Sequence, residues 1–394
     1  MFSFTKKHFY CFYRIPSVAA LLLLMHLFSC NSKNSDTTGI SNPKKVSQTE
    51  YTWEKVDSFK VDRMTKFIML DYNTKNQKFL AYDGITQEYL ILDKKGNILQ
   101  SVKRNGDGPN EYATLASAAS FNHESDGYYV QTSNEFIAYN QNWEVIKRTK
   151  FSPYYGVNLY SGPRVKTPYY KSSEKEPYFF ASLFSGVGIF QMNKPEDWET
   201  TKLLEYYSPK LDSIKWALPL DKGLFMPYVF EKPNHYINQI YTIDDKRNLL
   251  YLTFQNGQAI GVYDMENEFK QNSKLPISHQ HFMKSNQSKN RGLFRFDGDL
   301  IGLLYYKGIS EGAEQIRKEV NPNYSAFEDP SLYSFILFNK TIQLEKELPF
   351  PQNASPRSHP IVLPDNCILV MDKQNNELEE EFSTYSIYQL KKIN

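Results

Sequence analysis

Between Lys78 and Tyr112 the chain reads KFLAYDGITQEYLILDKKGNILQSVKRNGDGPNEY. Two short apolar runs, FLAYD and YLILD, flank a polar link. A tight turn, a third run (NILQSV) and a glycine-rich loop follow. Short runs rich in β-branched, aromatic and Leu side chains between turn signals read as β-strands. At Asp93-Lys94-Lys95-Gly96 the hairpin needs a residue with positive φ, which glycine adopts without a steric penalty. The stretch therefore predicts a β-meander, and the rest of the chain repeats it imperfectly.

Second-strand candidates begin near Phe79, Tyr129, Phe179, Leu250, Ile301 and Ile368. The usual interval is about 50 residues, the length of a four-stranded propeller blade. YLILDKKGN, FIAYNQNWE, IGVYDMENE and SFILFNKTIQ share one form: an apolar strand, then Asp or Asn, then a short polar turn. Asp and Asn favour that position because their side chains bond the turn's backbone amides. First-strand candidates are 65–72, 115–121, 164–170, 236–243, 292–296 and 358–363. The last blade then has three strands, ending in STYSIYQLKKI, and YTWEKVDSFKV (51–61) is predicted to supply the fourth. Such closure removes two exposed sheet edges. The expected fold is all-β: a six-bladed β-propeller over 50–394, closed by its N-terminal strand, with seven blades as the alternative.

The Leu-Asp-x-x-Gly turn and the GDGPNEY loop between Phe79 and Tyr112 resemble the NHL-type repeat of six-bladed propellers. The chain as a whole is similar to uncharacterised propeller-like lipoproteins of Bacteroidetes. That resemblance implies a fold and a compartment; it supplies no reaction and no catalytic residues.

Residues 1–29 carry Lys6, Lys7 and Arg14 ahead of an apolar core from Val18 to Phe28, the order of a secretory signal and too short to span a bilayer. Leu27-Phe28-Ser29-Cys30 resembles a lipobox, which implies cleavage before Cys30 and acylation of that cysteine. Residues 30–49 then form a polar tether. The expected location is the outer membrane, facing the periplasm or the cell surface, with the lipid anchor as the only membrane contact. Cys11 leaves with the signal and Cys367 stands alone in CILVM, so no disulfide framework is expected and Cys367 reads as a small hydrophobe.

Charge narrows the partners. The formal net charge is +2, and removing residues 1–29 takes away three basic residues and no acids, leaving 43 basic against 44 acidic. A neutral mature chain gives no bulk attraction to nucleic acid. The high Tyr and Phe content with a mean hydropathy of -0.56 suits strands with one wet face.

In a meander, the connections from strand two to three and from strand four to the next blade open on one face. On the predicted strands, the longer connections fall there: 104–113, 152–163, 205–235, 276–290, 307–331, 349–357 and 372–381. Those on the other face (NTKNQ, DKKGN, NQNWE, DMENE) are short. Loops elaborated on a rigid scaffold are where binding resides. On the elaborated face, Tyr154, Tyr155, Tyr206, Tyr207, Trp216, Tyr228, Tyr305 and Tyr306 either stack on a sugar or apolar peptide or pack the insertions down. Arg104, Asp107, Asn110 and Glu111 either meet a ligand or build the glycine turn, with Glu111 capping nearby amides. Arg164, Arg291, Arg295 and Arg357 lie in or near innermost strands, where a guanidinium pointing into the channel can grip a carboxylate.

Other chemistry is thinner. His279 and His281 have the spacing that puts two rings on one side of a strand, with only distant His235, His359 or an acid as a third ligand, so no metal site is assigned. The acidic run Glu377 to Glu381 lacks the glycine and alternating ligands of a calcium loop. Nucleophile-elbow, Walker and H-E-x-x-H motifs do not occur, and no cofactor is implied. The expectation is a lipid-anchored module that binds a protein, peptide or glycan through its elaborated face. A hydrolase or lyase acting on glycans or lactones from an axial pocket is the alternative, and a structural envelope accessory a third reading.

Overall fold

Strand β1 (Glu50–Asp62) runs antiparallel to the C-terminal β24 (Phe382–Ile393), from Glu50 opposite Ile393 to Asp62 opposite Phe382. The chain's first described strand thus completes its last sheet. The computed structural model describes residues 50–393 apart from 114–115, 123–125, 133–134, 151–168, 172–176, 182–201, 209–212, 220–238, 281–287, 340–341, 345 and 375–380. The export segment, Cys30, Tyr154, Tyr155, Arg164, Tyr228, His235, His281 and most of the acidic run lie outside the described residues.

The first blade is β2 (Phe67–Asn73), β3 (Lys78–Asp83), β4 (Glu88–Asp93) and β5 (Ile98–Lys103). The second is β6 (Ala116–Phe121), β7 (Tyr128–Thr132), β8 (Glu135–Tyr139) and β9 (Val145–Lys150). Between Tyr169 and Pro219, β10 (Tyr169–Lys171), β11 (Pro177–Ala181), β12 (Lys202–Ser208) and β13 (Ser213–Pro219) pair with one another. Next come β14 (Gln239–Asp244), β15 (Leu249–Phe254), β16 (Ala259–Asp264) and β17 (Lys270–Pro276). The blade after it is β18 (Lys289–Arg295), β19 (Ile301–Tyr306), β20 (Tyr333–Phe338) and β21 (Leu348–Pro349). The last is β22 (Ile361–Leu363), β23 (Cys367–Met371), β24 and β1.

The expected six-bladed ring, and its seven-bladed alternative, are corrected to five blades. Strands β10–β13 pair as a further four-stranded sheet. Repeat spacing counts strands; it does not report which sheets pack face to face.

The expectation of one wet face per strand is also corrected. Side chains alternate across a strand, and in the middle strands both faces are covered. Phe79 and Ala81 of β3 pack toward the last blade while Leu80 and Tyr82 pack toward the second. In β20, Tyr333, Phe335 and Leu337 face the last blade, and Ile336 and Phe338 face the blade of β14–β17. Water reaches the outermost strands instead: β5 alternates half-buried and exposed, and β17 is exposed except at Leu275. Gly96, at φ 86°, holds the β4–β5 turn, and a Cβ there would lie 2.5 Å from the Lys60 carbonyl of β1.

Two of the predicted loops contain regular structure. Residues 205–208 and 213–219, expected within the insertion 205–235, belong to β12 and β13. Within 307–331 a helix, α1 (Glu311–Val320), is capped by Ser310, whose Oγ accepts from the Ala313 amide at 3.3 Å. Acids in its first turn and Arg317 and Lys318 in its last complement the helix dipole. On the opposite face the connections are short, as expected, except 339–347 between β20 and β21.

Candidate functional site

The glycine-rich loop joins two blades. Glu111 Oε2 accepts from the Gly108 amide at 2.8 Å, which is the amide-capping arrangement. Asn110 Oδ1 accepts from the Val145 amide at 2.9 Å, and Arg104 Nε donates to the Trp143 carbonyl at 3.1 Å. Arg148 Nη2 donates to the Glu111 carbonyl at 2.7 Å. Beneath them Tyr112, buried, shares a 2.9 Å hydroxyl contact with Tyr89, whose ring stacks on Trp143. Arg104, Asn110 and Glu111 thus direct their polar groups at the scaffold, and Asp107 is exposed beside them.

The other sequence candidates scatter. Tyr206, Tyr207 and Trp216 sit in paired strands, Tyr206 opposite Phe180 and Trp216 opposite Glu205; their side chains are not described. Tyr305 and Tyr306, adjacent in β19, face different blades. Tyr305 is buried, donates to Glu347 and meets the edge of His279, with ring centroids 5.0 Å apart. His279 in turn bonds Asn290 Oδ1 at 3.0 Å, and burial holds its pKa below the ordinary histidine value. Among the described residues no three His, Cys, Asp or Glu side chains cluster as metal ligands.

Arg295 ends β18 at the face away from α1. Its Nε lies 3.3 Å from Asp244 Oδ1, within ion-pair range though without hydrogen-bond geometry. The fully buried Asp244 also takes Arg247 Nε at 2.5 Å, and Arg247 bonds Asp299. That end of the strand is a neutralised cluster tying two blades together.

The other end of β18 is different. Asn290 pairs with Tyr305 and Gly292 with Leu304, so Arg291 is the extra residue of a β-bulge. Bulges re-aim side chains, and Arg291 is exposed, with no ion pair among the described residues. The imidazole of His359, just before β22, packs against β18 where Gly292 leaves room: a Cβ at 292 would lie 3.4 Å from the ring. Its centroid is 5.3 Å from that of Phe294. His359 is exposed to solvent, with one side of its ring against β18. Desolvation, with the nearby Arg291 charge, lowers its pKa to about 4.

Lys289 crowds the same mouth. Desolvation and then Arg291 lower its pKa, and its Nζ lies 5.3 Å over the ring of Phe327. Phe327, in a short 3-10 turn after α1, is 42% exposed and packs on Tyr306, with centroids 5.2 Å apart. Tyr306 is fully buried, and its hydroxyl has no hydrogen-bond partner among the described residues. Tyr333 donates to the Phe327 carbonyl at 3.0 Å. The nearby acids are already engaged: Glu328 with Arg357 at 3.0 Å, Asp329 with Arg317, and Glu314 with Lys318 at 2.7 Å. At this end of β18, Arg291 and Lys289 are therefore two cations without an ion pair among the described residues, beside the exposed Phe327 ring. Arg291 and Arg357 were legible as arginines near innermost strands; Lys289 and Phe327 carried no sequence signal of their own.

Fold and site together define an all-β propeller with a basic, aromatic-walled mouth on its elaborated face. No family model matches the chain, and no curated protein matches it. Among solved structures, a member of the DUF4221 family from Bacteroides vulgatus superposes with a TM-score of 0.62 at 14% identity, covering 88% of this chain and 99% of that one. A Bacteroides fragilis protein, provisionally named as exported, aligns over 88% of this chain and 96% of its own at 10% identity and a TM-score of 0.47. At such identities the likeness shows the fold alone.

Proposed function

We propose that the chain is a lipid-anchored, extracytoplasmic propeller that binds a ligand or protein through the face carrying α1 and the mouth of β18. One observation supports this most directly: on a single strand, Arg295 is neutralised at one end while Arg291 is left open at the other, under the longest described connection. Unpaired charge on a rigid, decorated face is a recognition feature. The lipobox-like segment ending at Cys30 supports the anchor. Helix α1 has no fully buried residue, although Ala313 packs on the core and Arg317 holds Asp329, so 311–320 is replaced with a short glycine–serine link and retention of the fold is checked by thermal melting. That replacement is expected to abolish capture of a crosslinked partner in cells, and unchanged capture would overturn the face assignment. Cys30→Ser is expected to abolish incorporation of labelled palmitate.

A further inference from the structure

We propose that Arg291, Lys289 and His359, walled by Phe327, form a seat for a small ring-bodied carboxylate of the sugar-acid type. The inference rests on the reading of this face as the binding face and names the ligand chemistry it takes. A free guanidinium presents a fork matched to the two oxygens of a carboxylate. The bulge displaces Arg291 from the ladder, and among the described residues it has no ion pair, while Glu314, Glu328 and Asp329 are each held by another cation. Two further groups suit the rest of such a ligand. His359 is uncharged at neutral pH and offers one donor and one acceptor to hydroxyls. Phe327, 42% exposed, gives an apolar wall against which the ring body of a sugar can pack, and Lys289, held over its ring, stands beside that wall. The Tyr306 hydroxyl, buried behind Phe327, is a polar atom without a hydrogen-bond partner among the described residues.

The probes are D-glucuronate, neutral D-glucose and inorganic phosphate, titrated calorimetrically into the full-length chain, with thermal melts run on every variant. Glucuronate is expected to bind and glucose to bind far more weakly. Arg291→Gln is expected to weaken glucuronate about tenfold or more, the size of a lost charge-assisted hydrogen bond. Phe327→Ala, at a half-covered ring, is expected to weaken it less and to lower the melting temperature modestly while leaving the protein folded. The proposal is overturned if glucuronate fails to bind, if glucose binds as well, if phosphate binds and glucuronate does not, or if both variants bind unchanged. If Arg291→Gln does not fold, Lys289→Gln with Phe327→Ala decides the matter. Failure here leaves the α1-replacement result intact, so the two readings fall separately.

Discussion

Arg291 and Arg295 are the same residue type on the same strand, and they do opposite things. Arg295 meets the buried Asp244 and shares it with Arg247, so that end of two blades is locked by charge. Arg291, displaced by a bulge, has no ion pair among the described residues, and its charge acts on Lys289 and His359 instead. A charge near a propeller axis is thus not by itself a functional sign. What matters is whether the neighbouring blade supplies its partner.

The sharpest way to break the contrast is Asp244→Ala. It leaves Arg295 without an acid and Arg247 with Asp299 alone, and is expected to destabilise the protein by about 3 kcal/mol, measured by urea unfolding. Arg295→Gln removes one of Asp244's two cations and is expected to cost about 1 kcal/mol in the same assay. Arg291→Gln, with no pair to lose, is expected to change stability by less than about 0.5 kcal/mol. A loss as large as that of Asp244→Ala would show that the two ends of the strand are alike.

The finest test is pH. Desolvation and then the nearby Arg291 charge push the His359 pKa down, to about 4, from the ordinary 6.5. Between those values the unfolded chain holds the extra proton, so this contribution is full above about 6.5 and is lost as pH falls toward 4. His359→Gln is expected to flatten that part of the stability profile relative to the wild type. In Arg291→Gln, NMR titration is expected to find the His359 pKa raised, because a repelling charge has gone.

Much of the fold was legible in the sequence. Runs such as FLAYD and YLILD become β3 and β4 because short apolar runs of β-rich composition between turn signals suit little else, and Asp93 and Gly96 fix the turn from β4 into β5. The helix α1 was missed within an expected loop, although SEGAEQIRKEV carries a capping serine, early acids and late basic residues. Residues 205–219 were misread because their Tyr and Trp looked like insertion chemistry rather than strand β-propensity.

The sequence by itself determined where strands run, how they turn, and that residues 51–61 close the last sheet, because those depend on local periodicity and on one unpaired segment needing an edge. It could not determine that both faces of the middle strands are buried, how many blades pack, or which arginine is neutralised. Those outcomes depend on what the adjacent blade places opposite each side chain, across separations of tens of residues such as Asp244 to Arg295. Only the tertiary structure brings such groups together, and only there does Arg291 stand apart from Arg295.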